Sequence, residues 1–257
     1  MLEKYLRERR KQKDILLMTH IVVGYPSLGA SFEIVEAMVT AGVDLVELQI
    51  PFSEPIADGP VILTANQAAL AAGITVEECI DFGGRMAKQF EIPFLFMTYY
   101  NILFKYGVER FTQTAAQKGL QGAIVPDLPP EEGQLYLKSM DDHNLAPIFI
   151  YAPTTTDERM KMLAGHARGF VYCVARKGVT GQQTAFSQEL EAYLARCRQA
   201  TDLPLALGFG VKDRADIDFL TGKVDIAVIG TQTIRIVEER GVAAVGEFIN
   251  GLRSPEK

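Results

Sequence analysis

Eight short apolar segments alternate along this chain with segments whose apolar residues recur at helical spacing. This alternation predicts parallel β-strands joined by right-handed helical crossovers. Eight such units within 257 residues favour one closed (β/α)8 barrel, a TIM barrel of the α/β class, over an open doubly wound sheet. The strands are expected at Ile15–Val23, Val43–Ile50, Pro93–Tyr99, Gly122–Val125, Pro147–Tyr151, Gly169–Ala175, Pro204–Leu207 and Asp225–Ile229.

The helical segments have recognisable starts and stops. Thr75 is expected to cap a helix that runs to about Phe90, with Glu78 at the capping-box position. An extra amphipathic helix is expected at residues 2–12, before the first strand. The other helices are expected at Ser31–Ala41, Ile62–Ala72, Val108–Lys118, Glu131–His143, Asp157–Ala164, Ser187–Ala200, Asp213–Thr221, Thr233–Arg240 and Ala243–Leu252.

No Gly/Ser/Pro-rich linker divides the chain, so residues 1–257 are expected to form a single TIM-barrel domain. Two crossovers are unusually long, from the second strand to the third and from the sixth to the seventh. Long loops at the carboxyl ends of barrel strands are where function is usually built. The second of these loops is expected to run from Arg176 to about Phe186.

Composition excludes several classes of function. The formal net charge of −6 argues against a sequence-independent nucleic-acid binder, which needs a basic surface. The three cysteines are scattered without a C-x-x-C pair, and the three histidines lack metal-ligand spacing, so no metal site is expected. The charged N-terminus has no apolar core of a signal peptide, and no apolar run is long enough to cross a membrane. We therefore expect a cytoplasmic protein.

Two carboxylates near the second strand are the best candidates for acid/base chemistry. Glu47 shares a strand face with Leu45 and Gln49, in a segment where both faces should be buried. A buried carboxylate is costly unless it is paired or used. Asp58 follows in a loop that prolines and glycines keep irregular. The structural alternative is a Glu paired with a neighbouring Lys and an Asp that caps the loop.

Three glycine clusters follow the late strands, at Gly178–Gly181, Gly208–Gly210 and Gly230–Thr231. Glycine lets the backbone approach a ligand closely, and loops after strands seven and eight of barrels often bind phosphate at a helix N-terminus. The clusters together favour a phosphate ligand. No Walker A or Rossmann glycine pattern follows a strand.

Two further residues stay ambiguous from periodicity. Tyr172 lies on the sixth strand among bulky apolar neighbours, which favours a core tyrosine over one that lines a site. His20 shares a face of the first strand with Met18 and Val22, and a lone His there is more often a core residue than a catalyst.

The chain also carries a series of motifs in a specific order, and they resemble those of the tryptophan synthase alpha subunit family nearly from end to end. The motifs are Gly24-Tyr25-Pro26, Phe52-Ser53-Glu54-Pro55-Ile56-Ala57-Asp58-Gly59-Pro60, Val125-Pro126-Asp127-Leu128-Pro129-Pro130-Glu131-Glu132, Ala152-Pro153-Thr154-Thr155, Gly169-Phe170-Val171-Tyr172, Arg176-Lys177-Gly178-Val179-Thr180-Gly181, Gly208-Phe209-Gly210 and Ile229-Gly230-Thr231.

The resemblance implies a metal-free lyase that cleaves indole-3-glycerol phosphate to indole and glyceraldehyde 3-phosphate. It implies that Glu47 protonates the indole ring carbon and accepts the glycerol hydroxyl proton, and that Asp58 holds the indole N–H. The implied substrate-binding residues are Tyr172, Thr180, Tyr100 and Phe209, with Thr180 helping to position Asp58, and the implied phosphate-binding residues are Gly181, Gly210, Gly230 and Thr231.

The resemblance also implies a partner. The family works with a beta subunit that carries pyridoxal phosphate, in an alpha2-beta2 heterotetramer that makes tryptophan from the released indole. No cofactor is expected in this chain.

The sequence departs from the family pattern at several positions near the implied site. Gln49 stands where Gly is usual, and it is expected either to crowd Glu47 or to orient it by a hydrogen bond. Thr231 replaces Ser and keeps the hydroxyl. Glu54 replaces Asp on the surface that resembles the partner contact. Val22 stands where Thr is common, and His20 lies near the position of an aromatic residue that lines the site.

Two other functions remain open. A phosphosugar isomerase on the same barrel would usually place a base at the end of the sixth strand, where Tyr172–Gly181 contains no Asp or Glu. A regulatory subunit without activity of its own would be expected to lack one or both carboxylates, yet Glu47 and Asp58 are both present.

Overall fold

Eight parallel strands close into a barrel in chain order, each paired with its two neighbours, in the computed structural model of the chain. The structure describes residues 2–56, 58–175, 183–208 and 210–253, without the side chains of 183–187. The strands are β1 Leu16–Val22, β2 Leu45–Gln49, β3 Phe94–Met97, β4 Gly122–Ile124, β5 Ala146–Tyr151, β6 Val171–Val174, β7 Leu205–Gly208 and β8 Ile226–Ile229.

Helices connect successive strands over the described ranges, and one further helix precedes β1. They are α1 Leu2–Gln12, α2 Leu28–Thr40, α3 Pro60–Ala71, α4 Val76–Gln89, α5 Tyr100–Tyr106, α6 Val108–Gln117, α7 Gln134–Asp142, α8 Asp157–His166, α9 Gln183–Ala200, α10 Arg214–Leu220, α11 Thr231–Arg240 and α12 Ala244–Leu252. The expected TIM barrel with an additional N-terminal helix is confirmed.

Strand alternation divides the apolar side chains into two layers. Val46 and Leu48 on β2 pack outward between the strands and the helices, while Leu45 on the same strand faces the barrel interior. The interior is therefore a packed core rather than a pore. Alternation also sends Glu47 and Gln49 inward beside Leu45, which places both polar residues at the carboxyl end of β2 inside the barrel.

The N-terminal helix closes the end of the barrel opposite that mouth. Leu2 and Leu6 of α1 are buried in the same cluster as the interior residues Leu16 and Phe170. A Cβ on Gly169 would lie 2.7 Å from the Leu2 side chain, so the lack of a side chain at Gly169 allows α1 to pack closely against the barrel. Because this end is closed by apolar packing, the carboxyl ends of the strands are left to form the site.

Local capping chemistry explains several boundaries. Thr75 and Glu78 form the expected reciprocal capping box at the start of α4. Thr156 accepts a hydrogen bond from the Arg159 N–H at the start of α8, also as expected. Asp213 caps α10, so this helix begins one residue later than expected.

Other boundaries differ from the expectations. Helix α5, Tyr100–Tyr106, was not expected at all, and it follows β3 directly. Helix α11 begins at Thr231 rather than Thr233, so its N-terminus lies right after β8. Helix α9 begins at Gln183 rather than Ser187, and α7 begins at Gln134 rather than Glu131. The expected loop from Arg176 lies largely outside the described residues. Within the described ranges, none of these helices combines the length and apolarity needed to cross a membrane.

Candidate functional site

A cavity of about 370 Å³ opens at the carboxyl ends of the strands. Its deeper wall is apolar, formed by side chains of β3, β4, β5 and β8. Polar groups from β1, β2, β6 and the loop after β2 line one side, and glycine-rich backbone after β7 and β8 lines the rim. The lining side chains include His20, Glu47, Asp58, Met97, Ile124, Ile150, Tyr172, Val228, Lys212 and Arg235.

Glu47 is a buried carboxylate that lines this cavity and is only 3% exposed. Its Oε1 lies 3.1 Å from His20 Nδ1, and its Oε2 has no hydrogen-bond partner within the described part of the chain. The structural alternative for Glu47 was pairing with a Lys, and in the structure it is Asp44 that has such a pairing. Asp44 binds Lys13 Nζ at 2.7 Å and also accepts from Arg9 and from the Leu17 N–H.

These two buried carboxylates differ in how well their oxygens are satisfied. Asp44 has cationic and backbone partners that offset the cost of burial. Glu47 has a single imidazole contact and one oxygen left over beside an open cavity. Poor satisfaction of a buried polar group is expected where a ligand supplies the missing partner. The arrangement therefore makes Glu47 the stronger candidate of the two for a role in chemistry.

His20 faces Glu47 because β1 and β2 pair in a register that sets these two residues side by side. Burial alone would lower the pKa of His20, but the adjacent Glu47 carboxylate, aided by Asp58, outweighs burial and holds this pKa above its ordinary value of 6.5. His20 Nε2 is buried without a partner among the described residues. The sequence interpretation of His20 as an ordinary core residue was wrong, because its ring lines the cavity.

Asp58 reaches the same cavity from the loop after β2. Its Oδ2 accepts a hydrogen bond of 2.6 Å from Gln49 Nε2 and a longer one of 3.4 Å from the Tyr99 hydroxyl. Burial raises the pKa of Asp58 above its ordinary value of 3.8, and the hydrogen bond from Gln49 offsets part of that rise. The loop carboxylate is thus bound to the barrel wall through side chains of β2 and of the segment after β3.

Gln49 corrects one expectation about the site. It was expected to crowd or orient Glu47, but its amide nitrogen donates to Asp58 and, at 3.4 Å, to Asn66 Oδ1. The same Asn66 oxygen accepts the Phe52 N–H at 2.9 Å. Both ends of the loop are therefore tied to one amide pair in the barrel mouth.

Tyr172 packs against the interior core cluster and also lines the cavity, so the interpretation from periodicity describes only one side of its ring. Room for its ring comes from Gly208 on the neighbouring strand, where a Cβ would lie 3.1 Å from Tyr172 Cε1. Burial, with smaller contributions from the Glu47 and Asp58 carboxylates, raises the pKa of Tyr172 well above its ordinary value. The phenol therefore stays neutral where it lines the cavity.

The rim opposite the carboxylates has the features of an anion site. Gly230 precedes Thr231, the first residue of α11, so the helix N-terminus and its free N–H groups open onto the cavity. Gly210 lines the same rim with φ +82°, a conformation that favours glycine, and a Cβ there would meet no atom within 4 Å. The exposed cations Lys212 and Arg235 add positive charge that the sequence analysis did not single out.

The remaining sequence candidates divide into two groups. Thr180, Gly181 and Phe209 lie outside the residues that the structure describes. Tyr100 is described, but it is not among the described residues that line the cavity, and its backbone N–H donates to Asp127. Its neighbour Tyr99 contacts Asp58 instead. The sequence did indicate that Tyr99 follows a strand, but it did not indicate the direction of its side chain.

Comparison with known proteins gives a consistent result over nearly the whole chain. Residues 6–250 match the family model described as tryptophan synthase alpha chain. A tryptophan synthase alpha chain from Desulforapulum autotrophicum is 66% identical over 252 residues, which cover 98% of this chain and 100% of the relative. The tryptophan synthase alpha chain of Syntrophotalea carbinolica is 66% identical over 253 residues, with 98% and 100% coverage.

Solved structures agree with the sequence relatives. The tryptophan synthase subunit alpha from Legionella pneumophila matches with a TM-score of 0.88 at 30% identity, covering 98% of this chain and 96% of that one. A chain of tryptophan synthase from M. tuberculosis, in its aminoacrylate-bound form, matches with a TM-score of 0.86 at 30% identity and coverage of 98% and 99%.

Proposed function

Because this chain belongs to the tryptophan synthase alpha chain family, a lyase family that cleaves indole-3-glycerol phosphate to indole and glyceraldehyde 3-phosphate, we propose that Glu47 and Asp58 carry out this cleavage here. The observation that carries the proposal is one cavity with two carboxylates in different surroundings. Glu47 has an unpartnered oxygen, whereas Asp58 is held by two donors. Such a division suits two separate roles.

Glu47 starts the reaction as a general acid. Its protonated carboxyl gives a proton to the indole ring carbon that bears the glycerol phosphate chain, and the ring becomes a cation with its charge centred on nitrogen. Oε2 is the atom suited to this transfer, because Oε1 already contacts His20. Proton transfer by a positioned side chain typically contributes about 10²- to 10⁴-fold to the rate.

Asp58 stabilises that cation. Its carboxylate accepts the ring N–H, and the negative charge in a site shielded from water stabilises the positive charge on the protonated ring. The donors Gln49 and Tyr99 hold the same oxygen of Asp58, so Oδ1 is the oxygen left for the substrate. Prior placement of the carboxylate avoids reorganisation during the reaction.

Bond cleavage completes the cycle. The hydroxyl next to the breaking bond loses its proton to the Glu47 carboxylate, and its oxygen forms the carbonyl of glyceraldehyde 3-phosphate. The electrons of the carbon–carbon bond return to the ring, which leaves as neutral indole. Glu47 ends protonated, as it began, so the step needs no redox partner and no added acid.

The phosphate is proposed to bind at the rim formed by Gly210, Gly230 and Thr231, with Gly181 as a further candidate. The N-terminus of α11 supplies backbone N–H donors, and Lys212 and Arg235 add charge nearby. Tyr172 is proposed to pack against the indole ring from the cavity wall. Thr180, Tyr100 and Phe209 remain proposed substrate contacts on the family likeness alone.

A beta subunit carrying pyridoxal phosphate is the proposed partner, in a cytoplasmic alpha2-beta2 assembly that takes up the indole. The docking surface is proposed at residues 51–55 and 129–130, next to the mouth of the cavity. Large apolar side chains are exposed after three adjacent strands on this side: Ile56 at 82%, Phe104 at 70% and Leu135 at 51%.

The test is an assay of indole release from indole-3-glycerol phosphate, with and without a beta subunit. The proposal expects release by the protein alone and faster release in the complex. A regulatory subunit without chemistry of its own would release no indole under either condition. Release that persists in a Glu47→Gln, Asp58→Asn double variant would contradict the assignment of these two residues.

A further inference from the structure

His20 occupies an unusual position for a buried histidine. It is 5% exposed, it contacts Glu47 Oε1 through Nδ1, and its Nε2 has no partner among the described residues. It lies between the main cavity and a small void of about 10 Å³ behind β1. A purely structural histidine in the core would be expected to satisfy both ring nitrogens.

We propose that His20 is a positioning residue for Glu47, which holds Oε1 from the side of β1 and leaves Oε2 to exchange protons with the substrate. The inference rests on the proposed function of Glu47. Register fixes the arrangement, because His20 and Glu47 are paired across β1 and β2. No loop movement is needed to form the contact.

The hydrogen bond aids the chemistry because it strengthens as charge develops. In the acid form, Glu47 carries its proton on Oε2 and accepts the His20 Nδ1–H through Oε1. When that proton moves to the substrate, the acceptor oxygen becomes part of a negative carboxylate, and the same hydrogen bond becomes stronger. His20 keeps its own proton throughout, so the balance of the reaction does not change.

The groups around His20 define what a pH profile would report. Glu47 faces it from β2 and Asp58 from the loop after β2, and both favour a protonated ring. Gly230, between β8 and α11, packs on the ring side and carries no charge. Tyr172 lines the main cavity, and Lys212 and Arg235 line its rim.

The small void behind β1 has one titratable neighbour of its own. Tyr25 lines that void together with His20, and its hydroxyl donates to Glu238 Oε1 at 2.6 Å. The phenol pKa is raised to about 12, chiefly by that hydrogen bond, so Tyr25 stays neutral while His20 titrates.

Two substitutions separate positioning from mere packing. In His20→Asn, the side-chain amide nitrogen replaces Nδ1 as a neutral donor, and in His20→Leu the donor is lost while the volume is largely kept. We expect kcat to fall at least tenfold in His20→Leu with KM changed less than threefold, and to recover to within about threefold of wild type in His20→Asn. The control is His143→Asn at the C-cap of α7, where Nδ1 lies 2.8 Å from the backbone oxygen of Ser139.

The pH profile gives a readout that packing would not move. In wild type, the dependence of kcat on pH should include a contribution from ionisation of the His20–Glu47 pair. His20→Asn should lose that contribution while retaining turnover. If His20→Leu, folded by circular dichroism, keeps wild-type kcat, the positioning role is wrong. If His20→Asn is as inactive as His20→Leu, the donor is not what matters and the inference is also wrong.

A separate measurement does not depend on turnover. The chain has three histidines, so the NMR signal of His20 can be assigned by its loss in His20→Asn. We expect the pKa of His20 to fall in Glu47→Gln, because the neighbouring carboxylate that raises it is lost. An unchanged pKa of His20 in Glu47→Gln would overturn the inference. An inactive wild-type protein would instead overturn the proposed function, and the NMR result would still decide whether the two side chains are coupled.

Discussion

Gln49 Nε2 donates a hydrogen bond of 2.6 Å to Asp58 Oδ2, which ties the loop after β2 to the strand that carries Glu47. Glu47 and Gln49 are two residues apart on one face of that strand, so a single short segment supports both candidate catalytic carboxylates. This contact places Asp58 at the cavity in the chain by itself. A partner subunit would then act on a carboxylate that is already in place.

The first prediction concerns that hydrogen bond. Gln49→Met keeps the side-chain volume but removes the donor, and a hydrogen bond to a charged group is worth about 1.5–3 kcal/mol. The bond lowers the pKa of Asp58, so its loss should move the acidic limb of the kcat/KM profile to higher pH by about one to two units. Steady-state kinetics across pH measures this shift. An acidic limb at the wild-type position would show that Gln49 does not support Asp58.

The second prediction uses Asp58 itself. Asp58→Asn should reduce kcat/KM more than tenfold, because the amide cannot stabilise the cationic ring intermediate. The folded-state pKa of Asp58 is raised above 3.8, so the stability it contributes is present below that value and is lost as pH rises through the raised pKa.

The variant should therefore unfold at a higher temperature than wild type near neutral pH, and the difference should shrink as pH falls toward 3.8. Thermal unfolding at several pH values measures this. A variant that is inactive and also less stable at neutral pH would indicate a structural role for Asp58.

The third prediction tests the anion rim. Gly230→Ala introduces a Cβ that would lie 3.5 Å from His20 Cβ, an ordinary contact, and Gly230 has a negative φ, so the fold should tolerate the change. The methyl group should crowd an anion at the N-terminus of α11, with KM and the inhibition constant of inorganic phosphate rising about tenfold. Gly251→Ala, where a Cβ meets nothing within 4 Å, is the matched control. Unchanged phosphate inhibition would place the anion elsewhere.

The fourth prediction concerns coupling to the proposed beta subunit. Coupling between two binding events must be reciprocal, so a glycerol-phosphate ligand should tighten the affinity of this chain for the partner by the same factor as the partner tightens ligand binding. Titration of a beta subunit with and without the ligand measures both. An Ile56→Ser variant should weaken the partner affinity because it removes an exposed apolar group beside the mouth. Affinity that ignores both ligand and Ile56 would contradict the docking surface.

The barrel was predictable from sequence because its signal is periodic and repeated. Strands such as Val43–Ile50 can be recognised in the sequence because a strand buried on both faces is a largely apolar segment. The side of the strand on which Glu47 lies follows from alternation alone. The cap at Thr75 was predictable because the interaction is local. These features depend on residues a few positions apart.

The remaining features of the site depend on contacts between segments that are far apart in the sequence. The pairing of His20 with Glu47 follows from the register of β1 and β2, which no short sequence pattern specifies. The partner of Gln49 depends on where an irregular loop returns to the barrel, so the expected contact with Glu47 was wrong. Tyr172 was assigned to the core because nothing in its own segment reveals the space that Gly208 leaves for its ring.

The central claim is that Glu47 exchanges protons with the substrate, and Glu47→Gln tests it most directly. The amide keeps the shape of the side chain, so the fold should persist. It has no acidic proton to give to the substrate at the position of Oε2. The measurement is single-turnover formation of indole from indole-3-glycerol phosphate, with enzyme in excess and thermal unfolding recorded in parallel. We predict a folded variant whose rate falls by at least about 10³-fold; a rate within tenfold of wild type would contradict the account.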